Sequence, residues 1–150
     1  MSLNKIVNKN IDYHLNLLNK DRKQIEKKVI SLSKKIIGCF QKNKKILIFG
    51  NGGSAADAQH FSTELTVRLK SNRKALPSIS LVTDTSAISA IGNDFGFDFV
   101  FSRQIEALAQ KGDLIIPITT SGNSLNIINA LKYCKKKKFQ TFGILGNKGG

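Results

Sequence analysis

Four short apolar runs constrain this chain most: residues 46–49 (Ile-Leu-Ile-Phe), 78–82, 114–118 and 141–145. Each is rich in Ile, Leu or Val, and none alternates apolar with polar. That pattern suits central strands of a parallel sheet, which are buried on both faces. Helical stretches separate the runs, at residues 55–69, 97–110 and 124–137, with a short Ala/Ser helix after the second run. Alternating strands and helices predict an α/β fold with a doubly wound parallel sheet and flanking helices. Ahead of the first strand, Ile11, Leu15, Leu18, Ile25, Val29, Leu32, Ile36 and Phe40 recur at helical spacing. The reading is therefore one domain over residues 1–150, with a long N-terminal helix over about 3–42 and an α/β core from 45. So long a helix needs an apolar partner surface, part of which another subunit can supply.

The last run leads into Gly146-Asn147-Lys148-Gly149-Gly150, where a crossover helix and a further strand are expected. The chain thus reads as truncated before its last strand and helix; a complete four-stranded domain is the alternative.

Composition excludes several classes. Apolar residues make up 41% of the 150, enough for a core, and no run approaches the ~20 that a membrane span needs. The first residues carry no signal-peptide pattern. Cys39 and Cys134 sit in apolar helical patterns and read as buried free thiols of a reducing cytoplasm. The formal charge of +14 comes mostly from 20 Lys spread over helix faces. No nucleic-acid motif or aromatic platform accompanies it, so nucleic acid is not the expected partner.

In open α/β sheets ligands bind outside the carboxyl ends of the strands, and three loops fall there. The first is Gly50-Asn51-Gly52-Gly53-Ser54. Its glycines let backbone N–H groups approach a ligand at a helix start, and Ser54 with Asp57 resembles a helix cap. The match to a dinucleotide fingerprint is poor, because the next strand begins some 24 residues after Ser54, through a long basic loop, and no acidic residue stands about 20 residues on at its end. The second is Thr119-Thr120-Ser121-Gly122-Asn123-Ser124. One hydroxyl serves as a cap; four exceed that need and suit a phosphate dianion at a helix N-terminus. The third, Gly92-Asn93-Asp94-Phe95-Gly96, is either a plain turn or a binder of sugar hydroxyls. On the helix after the first loop, His60 and Glu64 share a face, with Arg68 one turn on. A surface Glu64–Arg68 ion pair beside a solvated His60 is the bland alternative to an acid/base or metal pair. Two ligands alone do not complete a tetrahedral zinc site.

Taken together, the Gly-Asn-Gly-Gly-Ser loop with His60 and Glu64, the Gly92–Phe97 segment and the Thr/Ser loop resemble the phosphoheptose isomerases, a sugar isomerase (SIS) domain family. The resemblance covers essentially the whole chain, and it implies a SIS-type, flavodoxin-like fold in a cytoplasmic homotetramer that binds zinc. It implies isomerisation of sedoheptulose 7-phosphate to D-glycero-D-manno-heptose 7-phosphate, the entry to bacterial heptose synthesis for lipopolysaccharide or surface glycans. Thr119, Thr120, Ser121 and Ser124 would hold the phosphate. Asn51, Gly52, Gly53 and Ser54 would line the sugar with Asn93, Asp94 and Arg68. Glu64 would be the base, working through an enediolate, and His60 and Glu64 two of the zinc ligands. Relatives carry a late Gln and His on a final helix, as metal ligands and acid, and this sequence ends before that helix. The competing reading is a non-catalytic SIS module that binds a sugar phosphate or a partner protein, as in relatives that assist replication initiation. Those tend to lack the Glu, so Glu64 favours the enzyme.

Overall fold

The computed structural model describes residues 2–146 and Gly149; Asn147, Lys148 and Gly150 of the expected terminal glycine loop lie outside the described residues. Contacts divide the chain into two compact units, Met1–Lys35 and Ile36–Gly150. The first is the greater part of helix α1 (Leu3–Gln41). Its apolar residues Ile11, Leu15, Leu18, Ile25 and Val29 are exposed, and Cys39 is the one buried residue in α1.

In the second unit the chain continues as β1 (Ile46–Gly50), α2 (Gly53–Thr66), β2 (Ser78–Ser80) and α3 (Thr85–Phe95). A 3-10 turn (Phe97–Phe99) then leads into α4 (Val100–Leu108), β3 (Leu114–Thr119), α5 (Leu125–Lys137), β4 (Gln140–Thr141) and β5 (Ile144–Leu145). The strands form one parallel sheet in the order β2-β1-β3-β4, with β5 also paired to β3. Register runs Ile46 opposite Leu114 to Gly50 opposite Ile118. Every residue of β1 and β3 is buried, as their unbroken apolar runs require.

Odd-numbered strand residues Leu47, Phe49 and Ile115 join Phe101 and Ile105 of α4 and Ile127, Ala130 and Cys134 of α5 in the main core. The Phe49 and Phe101 rings lie 4.7 Å apart. Even-numbered Ile46, Ile48, Leu114, Ile116 and Ile118 are buried on the opposite face, and α2 packs along β1 and β2. Each such side chain contributes about 1.5–3 kcal/mol on burial. At the amino ends of β1 and β3, the buried Asp113 carboxylate accepts from Lys45 Nζ (2.6 Å), Lys45 N (3.1 Å) and Gln110 N (2.7 Å). Among the described residues no helix is long and apolar enough to cross a membrane.

Four expectations are corrected. The predicted strand 141–145 is two pieces, and the cause sits on its neighbour. Phe142 N donates to Ile115 O and Gly146 N to Thr119 O. Pro117, midway between those two residues, has no N–H to give the ladder. The helix expected over 97–110 is a 3-10 turn followed by α4, which ends at Leu108. Asn93 and Asp94 belong to the last turn of α3 rather than to a loop. Finally, α2 stops at Thr66, so Arg68 lies beyond it and does not continue the face of His60 and Glu64.

Candidate functional site

Strand order reverses between β1 and β3: the chain leaves β1 for β2 on one side, then returns to place β3 on the other. Such a switch point opens a crevice at the carboxyl ends of the two strands. The loop after β1 and the loop after β3 are the Gly-Asn-Gly-Gly-Ser and Thr/Ser segments singled out in the sequence.

The glycines of the first loop do different jobs. A Cβ at Gly50 would stand 2.7 Å from Ile118 O and 2.7 Å from both Cβ and O of Ser54, so Gly50 permits β1, β3 and α2 to converge. Gly52 has φ 54 and ψ −122, a conformation that glycine adopts readily, and it precedes α2 as its N-cap. Nothing lies within 4 Å of a Cβ placed at Gly52 or Gly53, which leaves open space over the first N–H groups of α2, groups without intrahelical acceptors. The cap expected of Ser54 is not formed: the helix begins at Gly53 and no side chain caps it.

In the second loop Thr119 is buried and its Oγ1 accepts from Gly122 N (3.2 Å), while Ser121 Oγ accepts from Asn123 N (3.2 Å). These two hydroxyls shape the loop. Thr120 is exposed, and Ser124, the N-cap residue of α5, makes no side-chain cap bond. The hydroxyl expected to serve as a cap is therefore uncommitted at the positive end of a 13-residue helix.

Across the crevice, Asn51 Nδ2 donates to Asn126 Oδ1 (2.9 Å) and Asn126 Nδ2 donates to Asn51 Oδ1 (3.0 Å). Asn126 is 2% exposed. The Asn51 side chain, expected to line the sugar, is thus paired with protein. Sequence reasoning missed Asn126; the available signal was a polar side chain just ahead of Ile127, on the first turn of a helix with an apolar face.

On α2, His60 Nε2 lies 3.2 Å from Glu64 Oε1. The His60 side chain is 77% exposed and the Glu64 side chain 32%. Glu64 Oε2, by contrast, is buried and has no hydrogen-bond partner. No Glu64–Arg68 pair is formed among the described residues. Instead Arg73 Nη2 donates to Glu64 O (2.6 Å) and Arg73 Nη1 to Leu65 O (2.8 Å), fastening the loop after α2 to its last turn. Asn93 and Asp94 are exposed and bonded to each other (2.8 Å); no hydrogen bond joins them to either loop among the described residues.

His60 Nε2 and the unpartnered Glu64 Oε2 are the donor types that zinc takes. Among the described residues no third His, Cys, Asp or Glu gathers with them. The two cysteines are remote in chemistry as well. Both are free and buried, and desolvation raises the Cys39 thiol and pushes that of Cys134 up to about 11.

The SIS domain family matches residues 11–146. The phosphoheptose isomerase of Campylobacter concisus is 61% identical over 111 residues, which are 74% of this chain and 59% of that protein. That of Trichlorobacter lovleyi is 49% identical over 95% of this chain and 72% of its own length. The chain spans about three fifths of the length of several curated relatives it matches. Among solved structures, phosphoheptose isomerases from Neisseria gonorrhoeae and Francisella tularensis superpose with TM-scores of 0.90 and 0.94, at 38% and 29% identity. The matches cover 99% and 100% of this chain and 78% of each of theirs.

Proposed function

The chain belongs to the SIS domain family, among the phosphoheptose isomerases, and from that premise we infer that it interconverts sedoheptulose 7-phosphate and D-glycero-D-manno-heptose 7-phosphate, the entry to bacterial heptose synthesis. One observation carries the catalytic assignment: a carboxylate oxygen, Glu64 Oε2, buried and unpartnered, on the helix that opens from the glycine loop. Burying a charged oxygen without a partner is costly, and a carboxylate is the base this reaction requires.

Glu64 takes the proton from the carbon next to the carbonyl. The C–H electron pair becomes the C1–C2 double bond of an enediolate, and the carbonyl oxygen takes up the negative charge. The hydroxyl proton of the enediolate passes to that oxygen, the C=O bond re-forms at the carbon that lost its hydrogen, and the same carboxyl returns its proton to the neighbouring carbon, which converts aldose to ketose or the reverse. N–H groups at the start of α2 suit the developing oxyanion. The phosphate is held by Thr119, Thr120, Ser121 and Ser124 with the N-terminus of α5. The main chain of Asn51, with Gly52, Gly53 and Ser54, lines the sugar, joined by Asn93, Asp94 and Arg68. His60 and Glu64 would supply two ligands to a zinc ion, whose chemistry there would be to polarise the substrate carbonyl.

Self-association as a homotetramer is supported by the exposed apolar residues of α1, and a cytoplasmic location by two buried free thiols.

Glu64→Gln tests the assignment. Loss of a general base costs about 10²–10⁴-fold in turnover, so conversion of sedoheptulose 7-phosphate should fall by that order while calorimetry still detects its binding. Undiminished turnover in that variant would sink the base assignment.

A further inference from the structure

We propose that Asn126 is a positioning residue. Through its reciprocal amide pair with Asn51 it sets the distance between the glycine loop and the hydroxyl loop, without touching substrate. Neither loop can do this alone. Asn51 stands at the exit of β1, and Asn126 lies in the first turn of α5, 75 residues further along the chain. Each amide supplies one donor and one acceptor to the other, at 2.9 and 3.0 Å. The pair is therefore satisfied in one relative placement of the two elements and strained in others. Asn126 is nearly solvent-free, so water cannot replace its lost partner, and separating the amides would leave the buried Asn126 amide unpaired.

The neighbouring contacts make the link effective. Gly50 brings the base of the first loop against Ile118 O, and Ile118 adjoins Thr119, whose hydroxyl holds Gly122 N. Close backbone approach sets the bases of the two loops, and the amide pair sets them one residue higher. Sugar-phosphate isomerisation needs a carbon and a phosphate of one substrate held at once, and small misplacement of the reacting carbon slows the chemistry steeply. The kinetic part of this inference rests on the function proposed above; the structural part does not.

The test uses the intact protein and the variants N51A, N126A, N126D and the double variant N51A/N126A. Amide hydrogen exchange reads the link directly. In N126A the amides of Ala55, Gly122 and Asn123, bonded to Gly52 O, Thr119 Oγ1 and Ser121 Oγ, should exchange faster while β1 and β3 stay protected. The carboxylate introduced by N126D cannot donate to Asn51 Oδ1. Once protonated it can, so loop protection in that variant should recover as pH falls. For turnover of sedoheptulose 7-phosphate, N126A should lower kcat by about 10- to 100-fold with KM changed far less. N51A/N126A should be no slower than N126A, since one link cannot be cut twice. Unchanged exchange in both loops, or single-variant effects that multiply in the double, overturns the proposal. If the unmodified protein turns over no sedoheptulose 7-phosphate, the proposed function fails and the exchange measurements still decide the link.

Discussion

Gly50→Ala is the substitution whose outcome the geometry constrains most tightly. The added Cβ would sit 2.7 Å from Ile118 O, Ser54 Cβ and Ser54 O, well inside the 3.4–4 Å of ordinary contact. Two of the three obstacles are backbone atoms, so no side-chain rotation relieves the overlap. Overpacking of this kind costs typically about 1–3 kcal/mol and occasionally more. Here the moving parts are the paired strand β3 and the first turn of α2, and we expect about 3 kcal/mol. For a chain of this size that lowers the thermal midpoint by roughly 6–12 °C. Relief requires β3 and α2 to part, so turnover should fall as well. Gly53→Ala is the matched control: it meets nothing within 4 Å and has no positive φ. In the first turn of a helix, Ala should leave stability unchanged or raise it by up to ~1 kcal/mol. If Gly53 lines the sugar, activity nonetheless falls. Urea unfolding followed by circular dichroism, with turnover measured on the folded protein, separates the two. A G50A protein within 0.5 kcal/mol of wild type, on the scale of neutral surface changes, would refute the reasoning, as would G53A the less stable of the pair.

Two further outcomes concern the core. Asp113→Ala removes the acceptor of three hydrogen bonds at a buried position and should cost about 3–5 kcal/mol; Lys45→Met leaves that buried carboxylate without its cation, held only by two backbone N–H groups, and should cost a similar amount, so a loss below about 1 kcal/mol in urea unfolding for either variant would contradict the reading. The Cys134 thiol, raised by burial from 9.0 to about 11, binds its proton more tightly folded than unfolded. Its contribution to stability is therefore complete below pH 9 and is lost as pH rises toward about 11, by at most ~1.4 kcal/mol per pH unit. Unfolding free energies of wild type should fall more steeply over that window than those of Cys134→Ala, and parallel slopes would refute the assignment.

Local chemistry was enough to read β1, β3 and the start of α5, because an unbroken apolar run and a polar turn before a helix carry their meaning within a few residues. What escaped depends on partners distant in sequence. Nothing between Thr66 and Leu69 stops a helix by composition; α2 ends because Arg73 and Leu76 N return to bond the carbonyls of Glu64 and Leu65. The last strand divides because of a proline on the strand beside it. The hydroxyl loop was located correctly as a unit, yet which hydroxyls shape it and which stay uncommitted depends on bonds that spacing does not encode. Asn51 was placed in the right loop, but its side chain answers to Asn126, and Asn93 and Asp94 looked like a turn because the flanking glycines hid a helix end.

The central β1–β3 pairing has a kinetic consequence. It joins segments some 68 residues apart, as the Lys45–Asp113 contact does, and every residue of α2, β2, α3 and α4 lies inside that closure. Parallel pairing across so long a separation pays its loop entropy before any contact rewards it, and it slows folding. The crevice exists only after this closure, so no early local structure carries half of it. During synthesis the site cannot form until α5 has left the ribosome. Up to that moment the apolar run of β1 waits on the nascent chain without its β3 partner, and there the chain is most vulnerable to aggregation.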